Sequence, residues 1–187
     1  ASELFVRKVL GYLIPSATRL GRAVHRLRQV TGREPSGARA DLAPEVLTDR
    51  LRERAREIGL SRIGITANDP KYTFGESDAR QLPNVIVCLM EQDWELTQTI
   101  PSDEAEKSAM LGYAEGMTRT ASLAGFLKDL GYEAAPQGFP GDGITIHYGV
   151  EAGLGQLGLN GQLLTPEAGS RCRILLVTTD APLVFDE

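Results

Sequence analysis

Ala152-Gly153-Leu154-Gly155-Gln156-Leu157-Gly158-Leu159-Asn160-Gly161, running into Gln162-Leu163-Leu164-Thr165-Pro166, is the stretch on which the reading of this chain turns. Five glycines fall within the thirteen residues from Gly149 to Gly161, too dense for a stable helix, and the interleaved leucines are too regular for a disordered linker. Glycine permits positive φ and lets a second body approach bare backbone. Leucines would anchor such a bend to a core while its amides face outward, where a flat or phosphate-bearing ligand can rest on the main chain. The same letters also fit a helix end, a tight turn and a strand, with the glycines acting as caps. Gly153-x-Gly155-x-x-Gly158 spells the dinucleotide fingerprint, but it lacks the preceding strand and the acidic residue of a βαβ unit, so that reading is excluded.

Working outward, Pro136 to Gly143 is rich in Gly and Pro, leads straight into the block, and is the natural second wall of a pocket. Beyond the block, Arg171 to Thr179 alternates and then turns wholly apolar, forming the last strand. Asn84 to Met90 is a continuous apolar run suited to a central strand covered on both faces. Arg62 to Thr66 reads as the first strand and Tyr132 to Ala135 as a short one. Pro44 opens a helix through Ile58, with Val46, Leu47, Leu51, Ala55 and Ile58 as its buried stripe and Gly59 at its end. Ser102 caps a long helix to about Leu130, in which Gly112, Gly116 and Gly125 make one face small enough for close packing or a bulky ligand. Trp94, just past the central strand, reads either as a core plug or as a platform for a cofactor ring. On pattern alone this order of elements is an α/β arrangement with too few crossovers for a dinucleotide fold.

The wording of the block carries more than its spacing. Ala152 to Gly161, then Leu163-Leu164-Thr165-Pro166-Glu167-Ala168-Gly169-Ser170-Arg171, then Leu175 to Leu183 with Thr179-Asp180-Ala181-Pro182-Leu183, resembles the corrinoid-binding core of reductive dehalogenases and epoxyqueuosine reductases. Gly59-Leu60-Ser61-Arg62-Ile63-Gly64-Ile65-Thr66 extends the likeness upstream. The resemblance implies an α+β, nitroreductase-like core that binds cobalamin, with residues 44–187 as that domain and 1–43 as a basic helical extension and linker. By motif position it implies Gly153, Leu154, Gly155, Leu157, Gly158, Asn160, Gly161, Leu164 and Thr165 as cofactor-binding residues. It further implies reduction at the cobalt, with a side chain donating a proton. Tyr148 and His147, nearest the block, are the candidate donors, and a buried hydrogen-bonded pair at a helix start is the alternative reading of both. Arg171 or Arg173 could neutralise cofactor phosphate.

In that superfamily the block precedes a domain with two four-iron four-sulfur clusters, whereas this chain stops at Asp186-Glu187 and contains no Cys-x-x-Cys. The resemblance therefore implies electrons from a ferredoxin-like iron–sulfur protein or from a further segment, and no iron–sulfur cluster within these residues. Two other readings stay open: a non-catalytic structural or assembly subunit of a larger redox complex, and a flavin reductase binding FMN on the same fold.

Composition bounds the rest. At 187 residues and 42% hydrophobic the chain can bury a sizeable core, and its net charge of −5 argues against general nucleic-acid binding. Cys88 and Cys172 sit in apolar runs and read as core thiols. The two histidines lie 122 positions apart, which leaves no metal-ligand spacing. Between Phe5 and Arg33, by contrast, there are seven basic residues and no acidic one. Residues 3–14 read as an amphipathic helix ended or kinked by Pro15, and Ser16 to Val30 as a second helix with Leu20, Val24 and Leu27 on one stripe. The basic stretch is either a surface for an anionic membrane or acidic partner, or a helix packed on the domain with solvated arginines. The apolar run is too short and charged to span a bilayer and has no signal-peptide core, which points to a cytoplasmic protein, at most peripheral at a membrane.

Overall fold

A computed structural model describes residues 14–74, 82–138, 141 and 143–186. The first expected helix, residues 3–14, lies almost wholly outside that range. Helix α1 (Ile14–Thr31) is followed by α2 (Pro44–Glu57), β1 (Arg62–Ala67), a short 3-10 turn (Pro70–Tyr72) and β2 (Asn84–Glu91). Then come the short α3 (Trp94–Gln98), the long α4 (Asp103–Asp129), β3 (Ala134–Pro136), α5 (Thr145–Glu151), β4 (Gln156–Leu157), β5 (Leu163–Leu164) and β6 (Cys172–Thr179).

Four strands form one sheet in the order β1-β2-β6-β3, and every neighbouring pair is antiparallel. The α/β arrangement suggested by element order alone is therefore corrected to α+β, the class implied by the resemblance. The cause is connectivity: β1 returns to β2 through a loop rather than a crossover helix, and β6 enters between β2 and β3 from the opposite end. A second, two-stranded ribbon pairs Gln156 with Leu164 and Leu157 with Leu163, so part of the glycine block is a hairpin.

The pleat of the two central strands divides the core. In β2, Ile86 and Cys88 face one cluster, while Val85, Val87 and Leu89 face another; in β6, Leu175 and Val177 join the first and Leu176 the second. Leu47, Leu51 and Ala55 of α2 and Met117, Leu123, Ala124 and Leu127 of α4 cover the first face. Tyr148, Ala152, Leu154 and Leu163 cover the second. Val46, expected in the buried stripe of α2, is exposed, because a Val one position before Leu47 falls a quarter-turn off the stripe set by Leu47, Leu51 and Ala55. Thr48 takes the buried place beside Leu47, and its hydroxyl accepts from the Val184 amide at 3.0 Å.

Close approach explains two glycines of α4. A Cβ on Gly112 would stand 2.6 Å from Arg173 Nε, and one on Gly116 2.8 Å from a Leu175 methyl, so the small face of this helix seats β6 of the same chain. Helix α1 lies on α4 with Ala23 buried and Leu20, Val24, Leu27 and Val30 packed into the same cluster, while Arg19, Arg22, Arg26 and Arg28 face outward. Lys128 locks the junction. Its side chain is almost entirely buried, and its ammonium donates to the Thr31 carbonyl at 3.2 Å and to that of Arg33, capping the end of α1.

Burial, opposed by Glu133, lowers the Lys128 pKa from its ordinary value. The sign follows from proton binding: between the depressed folded pKa and the unfolded value, the unfolded chain holds more protons, so stability rises with pH across that window. Wild type is thus expected to gain stability relative to Lys128→Met as pH is raised toward 10, a difference that urea melts at a series of pH values would detect as a growing gap.

Candidate functional site

The site is built where the second face of the sheet meets the stretch of β6 that β3 leaves unpaired, so that α4 also reaches it. Helix α5 ends at Ala152, Gly153 turns the chain with φ 64°, and Leu154 drops into the core. The chain then rises into the β4–β5 hairpin, which closes through Gly158 N to Gln162 O at 2.8 Å and Gly161 N to Gly158 O at 2.9 Å. Gly161 occupies the tip with φ 75° and open space beside it. Gly155 is required by the hairpin itself, since a Cβ there would lie 2.3 Å from the Leu164 carbonyl oxygen, and Gly149 makes room for the Leu163 side chain. Leucine anchoring is only partial. Leu154 and Leu163 are buried, whereas Leu157, Leu159 and Leu164 are 52%, 112% and 42% exposed and leave an apolar ridge outside.

Asn160 and Thr165 bond within the loop. Asn160 Oδ1 accepts from the Gln162 amide at 3.2 Å, and Thr165 Oγ1 donates to the Gly169 carbonyl and accepts from the Ala168 amide, both at 3.2 Å. A cavity of about 460 Å³ opens beside the hairpin. Gln162 and Leu163 line it from the glycine block, Gln137, Gly138, Gly141 and Gly143 from the loop before α5, Thr145 and Ile146 from α5, and Cys172 to Leu176 from β6. The loop from Pro136 is the second wall, as its position implied. None of the nine block residues carried over by motif lines this opening; Gln162 and Leu163, between them in sequence, do, while Gly153 and Leu154 line a hollow against β1 and α2.

Tyr148 is buried in a cage. Its hydroxyl donates to Asn68 Oδ1 at 2.7 Å, lies 2.9 Å from the Asp69 carbonyl, and accepts from the Asp69 amide at 3.3 Å. His147 stacks on Tyr72 at 5.1 Å, and its Nδ1 is buried without a partner. Neither side chain lines the cavity.

A different tyrosine does. Tyr113 of α4 lines the cavity, and the Arg173 guanidinium lies over its ring, 3.8 Å from the centroid. Arg173 also donates to the Ala109 carbonyl at 2.8 Å, while its Nε is buried with no partner. Among the described residues it has no carboxylate partner, and it borders the cavity while lying against α4. A phenol beside an uncompensated guanidinium can give up a proton to a bound molecule with its developing negative charge offset. Sequence reasoning missed Tyr113 because it looked near the block, whereas β6 brings Arg173 to α4 from sixty residues away; Gly112, one position before Tyr113 and able to admit a side chain, was the available signal.

Arg173 and Gln92 also border a second hollow of about 720 Å³, with Trp94, Glu104, Lys107 and Arg171 on its walls. Trp94 is 58% exposed, so it is not a core plug: α3 starts just past the end of β2, and the ring stands under the Arg171 guanidinium, 5.3 Å from its centroid. Arg171 donates to the Gln92 carbonyl and pairs with Glu91 at 3.5 Å, leaving it less free than Arg173. Burial, with Glu91 adding to it, raises the pKa of Cys172, and Cys88 is fully buried with its thiol pushed far up by desolvation. Both thiols are free. Among the described residues no group of three His, Cys, Asp or Glu side chains could hold a metal ion, and no helix is long and apolar enough to cross a membrane.

No protein-family model matches the chain. Tetrachloroethene reductive dehalogenase from Desulfitobacterium hafniense is 39% identical over 104 residues, 56% of this chain and 19% of that protein. The enzyme of the same name from Sulfurospirillum multivorans is 36% identical over 104 residues, 21% of its length. In sequence the resemblance is to reductive dehalogenases, and in fold it extends to epoxyqueuosine reductases. A reductive dehalogenase structure described as suggesting a mechanism for B12-dependent dehalogenation superposes with a TM-score of 0.76 at 20% identity, over 88% of this chain and 26% of that one. A catabolic reductive dehalogenase in complex with 3-bromo-4-hydroxybenzoic acid gives 0.77 at 19% identity, over 90% and 26%. Epoxyqueuosine reductase with an epoxyqueuosine-modified tRNA stem loop gives 0.54 at 17% identity, over 75% and 47%. This reductive dehalogenase-like chain spans about a fifth of the length of the curated relatives it matches.

Proposed function

We propose that this chain is the corrinoid-binding portion of a reductive dehalogenase-like oxidoreductase, receiving electrons from iron–sulfur clusters carried outside these residues. The observation that carries the reading is the cavity beside the hairpin, which Tyr113 and Arg173 border together, the guanidinium lying over the ring without a carboxylate partner among the described residues. The surroundings suit a macrocycle edged with amides. Gln137, Thr145, Gln162 and Ser170 offer donors and acceptors among Ile146, Leu163, Ile174 and Leu176, and the exposed Leu157, Leu159 and Leu164 supply apolar surface. The open hairpin tip at Asn160-Gly161 would add to the hold on such a group.

Bound cobalamin would supply a low-potential cobalt centre for cleaving a carbon–halogen or comparable bond. The chain's own contribution is to hold the cofactor through the hairpin, to turn the Arg173 charge on bound anionic groups, and to keep a transferable proton on Tyr113 Oη. Tyr148 is assigned a structural part, because its hydroxyl proton is engaged by Asn68 and it stands outside the cavity. The test is retention of cofactor: purified chain incubated separately with hydroxocobalamin and with FMN, then desalted, is expected to carry corrinoid absorbance alone. Retention of FMN instead would transfer the reading to a flavin reductase, and loss of both would leave a structural subunit.

A further inference from the structure

On the opposite side of the sheet from the hairpin, α1 and α4 leave a trough of about 490 Å³ between them. Its floor is apolar, formed by Ala23, Ile58, Leu111 and Ala114, because alanines on facing helices leave the space that larger side chains would fill. Arg19, Arg22 and Arg26 stand along one rim at spacings of three and four, which puts them on one stripe about 10 Å long. All three are exposed, and among the described residues none has an ion-pair partner. The other rim is neutralised within the chain, since Arg119 pairs with Glu115 at 3.3 Å and donates to the Gly59 carbonyl at 2.5 Å. A one-sided cationic rim above an apolar floor, in a chain of net charge −5, is a local feature with a directed complement.

We propose that this trough receives an acidic amphipathic helix from another protein, with apolar side chains one turn apart on the floor and carboxylates flanking them toward Arg19, Arg22 and Arg26. Charge and shape choose this occupant. Residues 1–13 of the chain carry Arg7 and Lys8 against Glu3 alone, the wrong sign for the rim. A bilayer surface is flat, whereas this apolar floor is recessed between α1 and α4 and suits a narrow, convex element. This inference does not rest on the corrinoid reading.

Fluorescence anisotropy would test it, using a labelled helical peptide with leucines on one face flanked by glutamates, titrated with the purified chain. The peptide is expected to bind, to lose affinity about tenfold or more against Arg22→Glu/Arg26→Glu, and to lose it as salt is raised. Both positions are exposed, so circular dichroism melts of that variant should match wild type, and its hydroxocobalamin retention should be unchanged. A lysine-flanked counterpart should bind at least about tenfold more weakly. The proposal is overturned if the glutamate peptide does not bind, or if replacing its leucines by serines costs nothing. It fails equally if phosphatidylglycerol vesicles displace the peptide through the same arginines, or if sedimentation shows the chain pairing with itself through them.

Discussion

Gly64→Ala is expected to be among the most damaging single-methyl changes in this protein. Gly64 sits in the middle of β1, paired with Val87, and a Cβ built on it would stand 2.6 Å from the Ala152 carbonyl oxygen and 2.8 Å from Ala152 Cβ and Leu154 Cγ. Two of those three atoms belong to the backbone or its first carbon and cannot swing aside, and Leu154 is fixed in the second core cluster. The strand cannot withdraw either, since β1 is pinned on its far edge where Asp186 accepts from the Ile65 amide at 2.9 Å and pairs with Arg52 at 2.6 Å. Relief must come from the turn between α5 and the hairpin, the segment proposed to hold the cofactor. Overpacking of this kind costs about 3 kcal/mol, and for a chain of this size about 6–12 °C in Tm. Differential scanning calorimetry should register that drop, and hydroxocobalamin retention should fall with it. A variant as stable as wild type would mean that β1 and the glycine block are not in contact.

That contact also marks what was legible in the sequence. Gly64 stands in the upstream motif and Ala152 and Leu154 in the block, so the wording that carried the resemblance contains both halves of one packing contact. The central strands were readable because Asn84–Met90 is apolar on both faces and Arg171–Thr179 becomes so from Ile174 to Val177, as strands covered on two sides do. Strand direction was not readable, because the same runs serve parallel or antiparallel neighbours equally. Of the two readings of Trp94 the core plug falls, although tryptophan is usually buried; here Arg171 covers one face of the ring and the side chain is more than half exposed.

The glycine block was identified as the centre of the site, but its glycines mostly serve the chain itself. Gly149 makes room for Leu163 and Gly155 for the Leu164 carbonyl, and only Gly161 of the three has open space beside it. A sequence reports that a side chain is missing without reporting what fills the gap. The same ambiguity hid Tyr113, whose neighbour Gly112 marks where Arg173 enters, a fact visible only once β6 is laid against α4.

Replacing each tyrosine by phenylalanine should therefore separate chemistry from architecture. Tyr113→Phe keeps the ring under Arg173, so hydroxocobalamin retention should survive at temperatures where the variant stays folded. Turnover of a halogenated substrate by the corrinoid-loaded protein under a chemical reductant should fall about 10²–10⁴-fold, the usual contribution of a positioned general acid. Tyr148→Phe should do the reverse. It strips Asn68 Oδ1 and the Asp69 amide of their shared partner in a buried setting, at a cost of about 1–3 kcal/mol visible in urea unfolding. Turnover at temperatures where the variant stays folded should remain near wild type, because that hydroxyl faces Asn68 and Asp69 rather than the cavity. If the two phenotypes come out exchanged, the proton source is the caged tyrosine and the loop carrying Asn68 must open for it to act. If Tyr113→Phe loses neither rate nor corrinoid, the pairing of Tyr113 with Arg173 has a packing role, and the donor lies outside these residues.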